Sequence, residues 1–284
     1  MKEVAIIADS VATVPPEVAQ KYGILEAPFD IKMDGKDYLE GEVDREQLYT
    51  RLRGKENLPT TSPASPGEVL ELYRQASQQA KAIFHIVLSS GFSQGYNSAL
   101  NAKELAKKEL PGLTIEVFDS LTVVGAEMLI TIEAANAGKN LLEVTKVADK
   151  IRQRAASLAI RESLFHFDRS GRVGKAKDWA KSEIPTATVL ETSAASGGVT
   201  RPLSRERTLT KAIDATLNLV EERSQGKRLH MAVTHMNAPD KAEQLRKKLV
   251  SRFNPVELYL NECSLVVAVI NGEGLLEFGF YSED

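Results

Sequence analysis

A single cysteine, Cys263, stands in 284 residues, so the chain can form no internal disulfide and offers no thiolate cluster to a structural metal. Histidine is nearly as scarce. His85, His166, His230 and His235 are the full set, and without a cysteine cluster beside them no zinc-type pattern appears. An excess of positive charge is also missing: 36 basic residues face 39 acidic ones for a net charge of -3, which excludes the cationic surplus that neutralises nucleic-acid phosphates. No apolar run approaches the length of a membrane span, and the run inside "MKEVAIIADS" is too short for a signal peptide. There is no P-loop, no G-x-G-x-x-G fingerprint and no metal-ligand cluster, so nucleotide and metal chemistry have no visible machinery. These absences point to a cytoplasmic protein without a cofactor or metal, with no nucleic-acid partner and no transmembrane segment.

What is present reads as alternating strands and helices. The length exceeds the usual single-domain range, so two domains or one large α/β unit are expected. Val4 to Ala8 is a continuous apolar run closed by Asp9 and Ser10, as in a strand buried on both faces. Phe29 to Tyr38 alternates around Asp34-Gly35, a pair suited to a tight hairpin turn. Helices are expected at Arg45 to Arg53 and Gly67 to Gln79, separated by a loop from Asn57 to Pro66. Ala82 to Leu88 and Thr114 to Phe118 read as buried strands, each followed by a polar loop and a helix. A further helix is expected from Leu142 to Ser157. The alternation implies a parallel sheet covered by helices, with ligands outside the carboxyl ends of its strands.

After about Leu158 the texture changes, and a second, smaller α+β domain with an antiparallel tendency is expected over 158–284, following an α/β domain over 1–157. Its strands are read at Ala187 to Glu191, Leu229 to Thr234, Val256 to Tyr259, Leu265 to Ile270 and Leu275 to Phe280. Its helices are read at Thr208 to Arg223 and Lys241 to Phe253. The last two strands are joined by the turn Asn271-Gly272-Glu273-Gly274.

Two loops could carry chemistry. Thr61-Ser62-Pro63-Ala64-Ser65-Pro66 sets three hydroxyls between prolines, and its plainer role is to cap the helix that follows. Ser89 to Gly95 runs from a buried strand into a helix, where free N–H groups and the helix dipole favour an anion such as a carboxylate. Gly91-Phe92-Ser93-Gln94-Gly95 also fits the G-x-S-x-G nucleophile elbow. A serine hydrolase using Ser93, Asp119 and either His230 or His235 is therefore the rival reading.

Taken together, "IADS" at Ile7 to Ser10, "TSPASPGE" at Thr61 to Glu68, "SSGFSQGYNSA" at Ser89 to Ala99, "FDS" at Phe118 to Ser120 and "SGRV" at Ser170 to Val173 resemble the DegV family of fatty-acid-binding proteins. Ile184-Pro185, "RERTLTKAI" at Arg205 to Ile213, "VTH" at Val233 to His235 and "NGEG" at Asn271 to Gly274 extend the resemblance nearly end to end. It implies an acyl chain buried between an α/β and an α+β domain, with no catalysis by this chain alone. It implies a long-chain fatty acid whose carboxylate is held by Thr61, Ser62 and Ser93, with Gln94 and Gly95 beside it. In kinase-coupled members a separate ATP-dependent subunit phosphorylates that carboxylate. Arg172 and Arg207 match recurrent family arginines and are expected at the cavity mouth or a partner contact. The family's usual Leu-Ser-Gly-Thr-Tyr reads Phe92-Ser93-Gln94-Gly95-Tyr96 here. A histidine common in the family before its last Gly-x-Gly is replaced by Ile270, followed by Asn271.

Overall fold

Lys2–Asp9 forms β1, whose last six residues are buried because both faces of the strand are covered. The computed structural model describes residues 2–54, 56–138, 140–174, 177–180 and 186–284; the Ile184-Pro185 motif lies outside them. Helix α1 (Pro16–Tyr22) returns the chain to β2 (Leu25–Ala27), parallel to β1. The expected hairpin follows as β3 (Phe29–Met33) and β4 (Lys36–Leu39). Asp34 and Gly35 take φ of 51° and 77°, the positive values that let a two-residue turn match strand twist.

Helix α2 (Arg45–Gly54) leads to the first departure from expectation. The segment read as a loop contains β5 (Thr60–Pro63), which pairs antiparallel with β3 through Ile31↔Thr61 and completes a three-stranded sheet, β4-β3-β5. Its edge position tolerates the proline, and its pairing partner lies about thirty residues away in sequence. The capping role belongs to Ser65, which accepts the Glu68 N–H at the start of α3 (Pro66–Ser77) while Glu68 reaches back to Ser65 N–H.

Strand β6 (Ala80–Val87), helix α4 (Gly95–Glu109) and strand β7 (Thr114–Asp119) complete the parallel sheet in the order β2-β1-β6-β7. Helices α3 and α4 cover one face through Val69, Tyr73, Ala99 and Ala102. Helix α5 (Val124–Ala137) and α6 (Leu141–Arg152) cover the other. Helix α5 is apolar on nearly every side because it also packs on the second sheet, through Ala232 and Tyr281.

The helix expected to Ser157 stops at Arg152, and Ala156–Arg161 is strand β8. The chain reverses where Ala155 N–H bonds to Ile151 C=O, and the pairing of Ser157 with Thr192 draws the following residues into a sheet. Short helices α7 (Phe165–Arg169) and α8 (Lys177–Ala180) precede β9 (Ala187–Ser193) and an unanticipated β10 (Arg201–Glu206). Helix α9 (Leu209–Ser224), β11 (Leu229–His235), α10 (Pro239–Phe253) and β12 (Glu257–Glu262) follow.

A further correction falls on Leu265–Asn271, which is helix α11 rather than a strand. A short apolar run suits either buried state, and here Ser264 caps the helix by accepting the Val266 N–H. Asn271 to Gly274 therefore joins a helix, not a strand, to β13 (Leu276–Ser282). The second sheet runs β10-β9-β8-β13-β11-β12, antiparallel except for β11 with β12. Its outer face packs on α9 and α10 through residues such as Leu158, Ile160, Phe278 and Leu245. The chain is thus a mixed α/β protein with a parallel sheet in its first part and a separate mixed sheet in its second.

Candidate functional site

Between the inner face of the second sheet, the carboxyl ends of β1 and β6, and helix α11 lies a cavity holding about 690 Å3 of space between atoms, its mouth included. Val11, Phe29, Leu88, Val124, Val267 and Leu275 give it a largely apolar wall. Its position outside the strand ends of β1 and β6, where the chain order of the parallel sheet reverses, is where open α/β sheets bind ligands.

Thr61 and Ser93 both line this cavity, although they arrive on separate elements. In β5 alternate residues face opposite ways, so Thr61 turns inward while Ser62, paired with Asp30, does not line the cavity. The Thr61 hydroxyl has no hydrogen-bond partner among the described residues. Ser93 is held by a turn in which its N–H and that of Phe92 donate to Ser89 C=O at 3.3 and 2.8 Å. Its hydroxyl oxygen accepts the Gly95 N–H at 3.1 Å, filling one of the open donors at the start of α4 and leaving its own proton to point elsewhere.

Gln94 is exposed, and its side chain accepts from Asn97 Nδ2 at 2.8 Å instead of facing the cavity. Gly95 is buried, and a methyl there would stand 3.3 Å from Val87 Cγ1, so its role is close packing that brings Ser93 against the sheet. Arg207 is exposed and outside the lining. Arg172, Ile270 and Asn271 all line it. Arg172 donates through Nε to Phe92 C=O at 2.9 Å and through Nη1 to Ser170 C=O at 3.1 Å, which ties the "SGRV" turn to the Ser93 loop. Burial lowers its pKa.

Several lining residues were not anticipated. Ser157, Ala159 and Arg161 share the inward face of β8, and Glu277 of β13 stands opposite Ala159. Glu277 accepts from Ser157 Oγ and Thr234 Oγ1, both at 2.6 Å, and from Gly125 N–H at 3.2 Å. Burial raises its pKa to about 7 against the lowering effect of these donors and of the Arg161 charge. Arg161 is 8% exposed. Its Nε donates to Asn271 Oδ1 at 3.0 Å, Nη2 donates to the same oxygen, and the guanidinium lies 4.0 Å from the centre of the Phe167 ring. Burial lowers its pKa to about 9, so it remains a cation near neutral pH. The signal in the sequence was one charge inside each of two apolar runs, "SLAIR" and "LLEFGF".

The residues of the rival hydrolase reading do not converge on Ser93. Asp119 Oδ1 accepts the N–H groups of Ser90 and Leu121 at 3.2 and 3.0 Å. His235 Nδ1 accepts the Ala238 N–H at 3.4 Å, and His230 stacks on Tyr281 beside Glu257 and Glu283. Neither histidine lines the cavity.

The family described as "Uncharacterised protein, DegV family" matches residues 3–283. The chain belongs to the DegV family. It is 29% identical over 281 residues to a DegV domain-containing protein of Listeria innocua, covering 97% of each chain. To Protein DegV of Bacillus subtilis it is 26% identical over 279 residues, covering 96% of this chain and 97% of the relative. Among solved structures, a DegV-family protein from Thermus thermophilus, described by its fatty acid binding, superposes with a TM-score of 0.91 at 23% identity over all of both chains. Bacillus subtilis DegV, described as a fatty acid binding protein, gives 0.85 at 25% identity, again over all of both chains. A stearic-acid-binding protein from Eubacterium ventriosum gives 0.87 at 21% identity over 98% of each. No described helix is long and apolar enough to cross a membrane.

Proposed function

We propose that this DegV-family chain binds one long-chain fatty acid in the cavity and performs no chemistry on it alone. The observation that carries the reading is an apolar cavity lined by two hydroxyls, Thr61 from strand β5 and Ser93 from the loop before α4. Each methylene buried against walls such as Val11, Val124 and Val267 contributes roughly 0.8 kcal/mol, so a long acyl chain provides most of the affinity while the hydroxyls orient its carboxylate. The fatty acid binding of the Bacillus subtilis relative supports the same ligand class. Presentation of the carboxylate to a separate ATP-dependent subunit is the second part of the proposal, supported by the lack of a phosphate loop in this chain. The first part is tested by titrating delipidated protein with a saturated 16-carbon carboxylic acid. One-to-one binding is expected, and absence of binding contradicts it.

A further inference from the structure

A buried cation with no ion-pair contact among the described residues is the least ordinary feature of the cavity wall. Where two partly buried arginines nearby meet a carboxylate, Arg201 of β10 and Arg223 of α9 both at Glu191, Arg161 meets none within ion-pair distance among the described residues. Its hydrogen bonds go to one neutral atom, Asn271 Oδ1. Glu277, on the neighbouring strand, acts on Arg161 through space, but its hydrogen bonds go to Ser157, Thr234 and Gly125 and it makes no ion-pair contact with the guanidinium. Withdrawing a guanidinium from water is costly unless an opposite charge replaces the lost hydration.

The guanidinium is nevertheless held firmly. Asn271 donates through Nδ2 to Val267 C=O at 2.9 Å, which turns its oxygen toward Arg161. Phe167 stacks against the guanidinium plane and lies 6.2 Å, ring centre to ring centre, from Phe92, the residue before Ser93. Arg161 is thus one aromatic ring away from the loop that presents the Ser93 hydroxyl. Of the five N–H donors of a guanidinium, those on Nη1 have no acceptor among the described residues, although the side chain lines the cavity. A preorganised fork of this kind matches the two oxygens of a carboxylate.

We propose that Arg161 is the counter-ion of the bound ligand's carboxylate, so that this cavity selects an anionic amphiphile by an ion pair added to the hydroxyl contacts. The inference rests on the fatty acid reading and makes it more specific. Asn271 is then a positioning residue, and the replacement of the family histidine by Ile270 matters less because charge reaches the head group from β8.

The test compares oleate with oleyl alcohol, which share a chain and differ in the head group, on delipidated full-length protein by calorimetry. The wild type binds oleate about 100-fold tighter than the alcohol. Arg161→Met weakens oleate by about 100-fold and the alcohol far less. Arg161→Gln keeps a polar side chain without the charge and weakens oleate by about the same factor, which carries the test if the methionine variant does not fold. Retention of the full acid preference in either variant overturns the assignment while leaving fatty acid binding intact. A wild type that binds neither compound overturns the fatty acid reading and this inference with it.

Discussion

Ser89 donates its hydroxyl to the carbonyl oxygen of Gly198 at 2.5 Å, joining the loop that carries Ser93 to the turn between β9 and β10. A methyl on Gly91 would stand 2.7 Å from that same oxygen, so the loop and the turn touch backbone to backbone. The Ser93 hydroxyl is therefore held by the second sheet as well as by its own strand and helix.

Gly198 adopts φ of +73°, and a side chain there would collide with Ser89 Oγ. Gly198→Ala is expected to cost about 1–3 kcal/mol through backbone strain and the lost bond. Thermal unfolding of the ligand-free variant checks this, and an unchanged melting temperature would show that the contact does not tie the halves together.

Thr61→Ala combined with Ser93→Ala should weaken fatty acid binding by about 10- to 100-fold, since each loses a hydroxyl able to contact a charged head group, while the apolar wall stays intact. Calorimetry on the delipidated double variant measures it. Unchanged affinity in a folded double variant removes both residues from the head-group site.

Asp9 couples pH to stability. Burial raises its pKa from 3.8 to about 7, against the lowering effect of the Leu88 N–H that it accepts at 2.9 Å. A raised carboxyl pKa means that the folded state holds the proton longer than the unfolded one. The stability is therefore full below pH 3.8 and is lost as pH rises through about 7. His85, whose pKa burial lowers to about 3, acts with the opposite sign and loses stability as pH falls. Asp9→Asn keeps an acceptor for Leu88 N–H and removes the charge. It should match the wild type near pH 4 and exceed it at pH 8 by up to about 4 kcal/mol, read as a higher melting temperature. Equal stability of the two proteins at pH 8 would contradict the buried, proton-holding state of Asp9.

Ester hydrolysis separates binding from the serine hydrolase reading. With Ser93 engaged by Gly95 N–H and no histidine on the cavity wall, any slow turnover of a p-nitrophenyl ester should be the same in the wild type, Ser93→Ala and His235→Ala. Equal abolition in both variants would restore the triad.

Most strands and helices were legible because their hydrophobic periods and caps are local properties. The Asp34-Gly35 hairpin and the capping box at Ser65 are examples. Leu265–Asn271 was not, since six apolar residues followed by a turn suit a buried strand or a buried helix equally. Thr60–Pro63 looked like a loop because its only strand signal is a partner in β3. Thr61 and Ser93, which both line the cavity, were singled out because hydroxyls clustered in loops at strand ends are conspicuous. Ser62 was carried along with Thr61, and the alternation that separates them exists only once β5 is known to be a strand. Arg161 and Glu277 escaped because which face of β8 and β13 looks inward depends on the pairing of the whole second sheet.

The central claim is that the cavity holds one long-chain fatty acid. It is tested most directly by the mass of the purified chain under native conditions, followed by identification of what denaturation releases. The account predicts an excess mass equal to one long-chain carboxylic acid per chain, lost on denaturation and recovered in the extract. An empty chain that also fails to take up added fatty acid would contradict it.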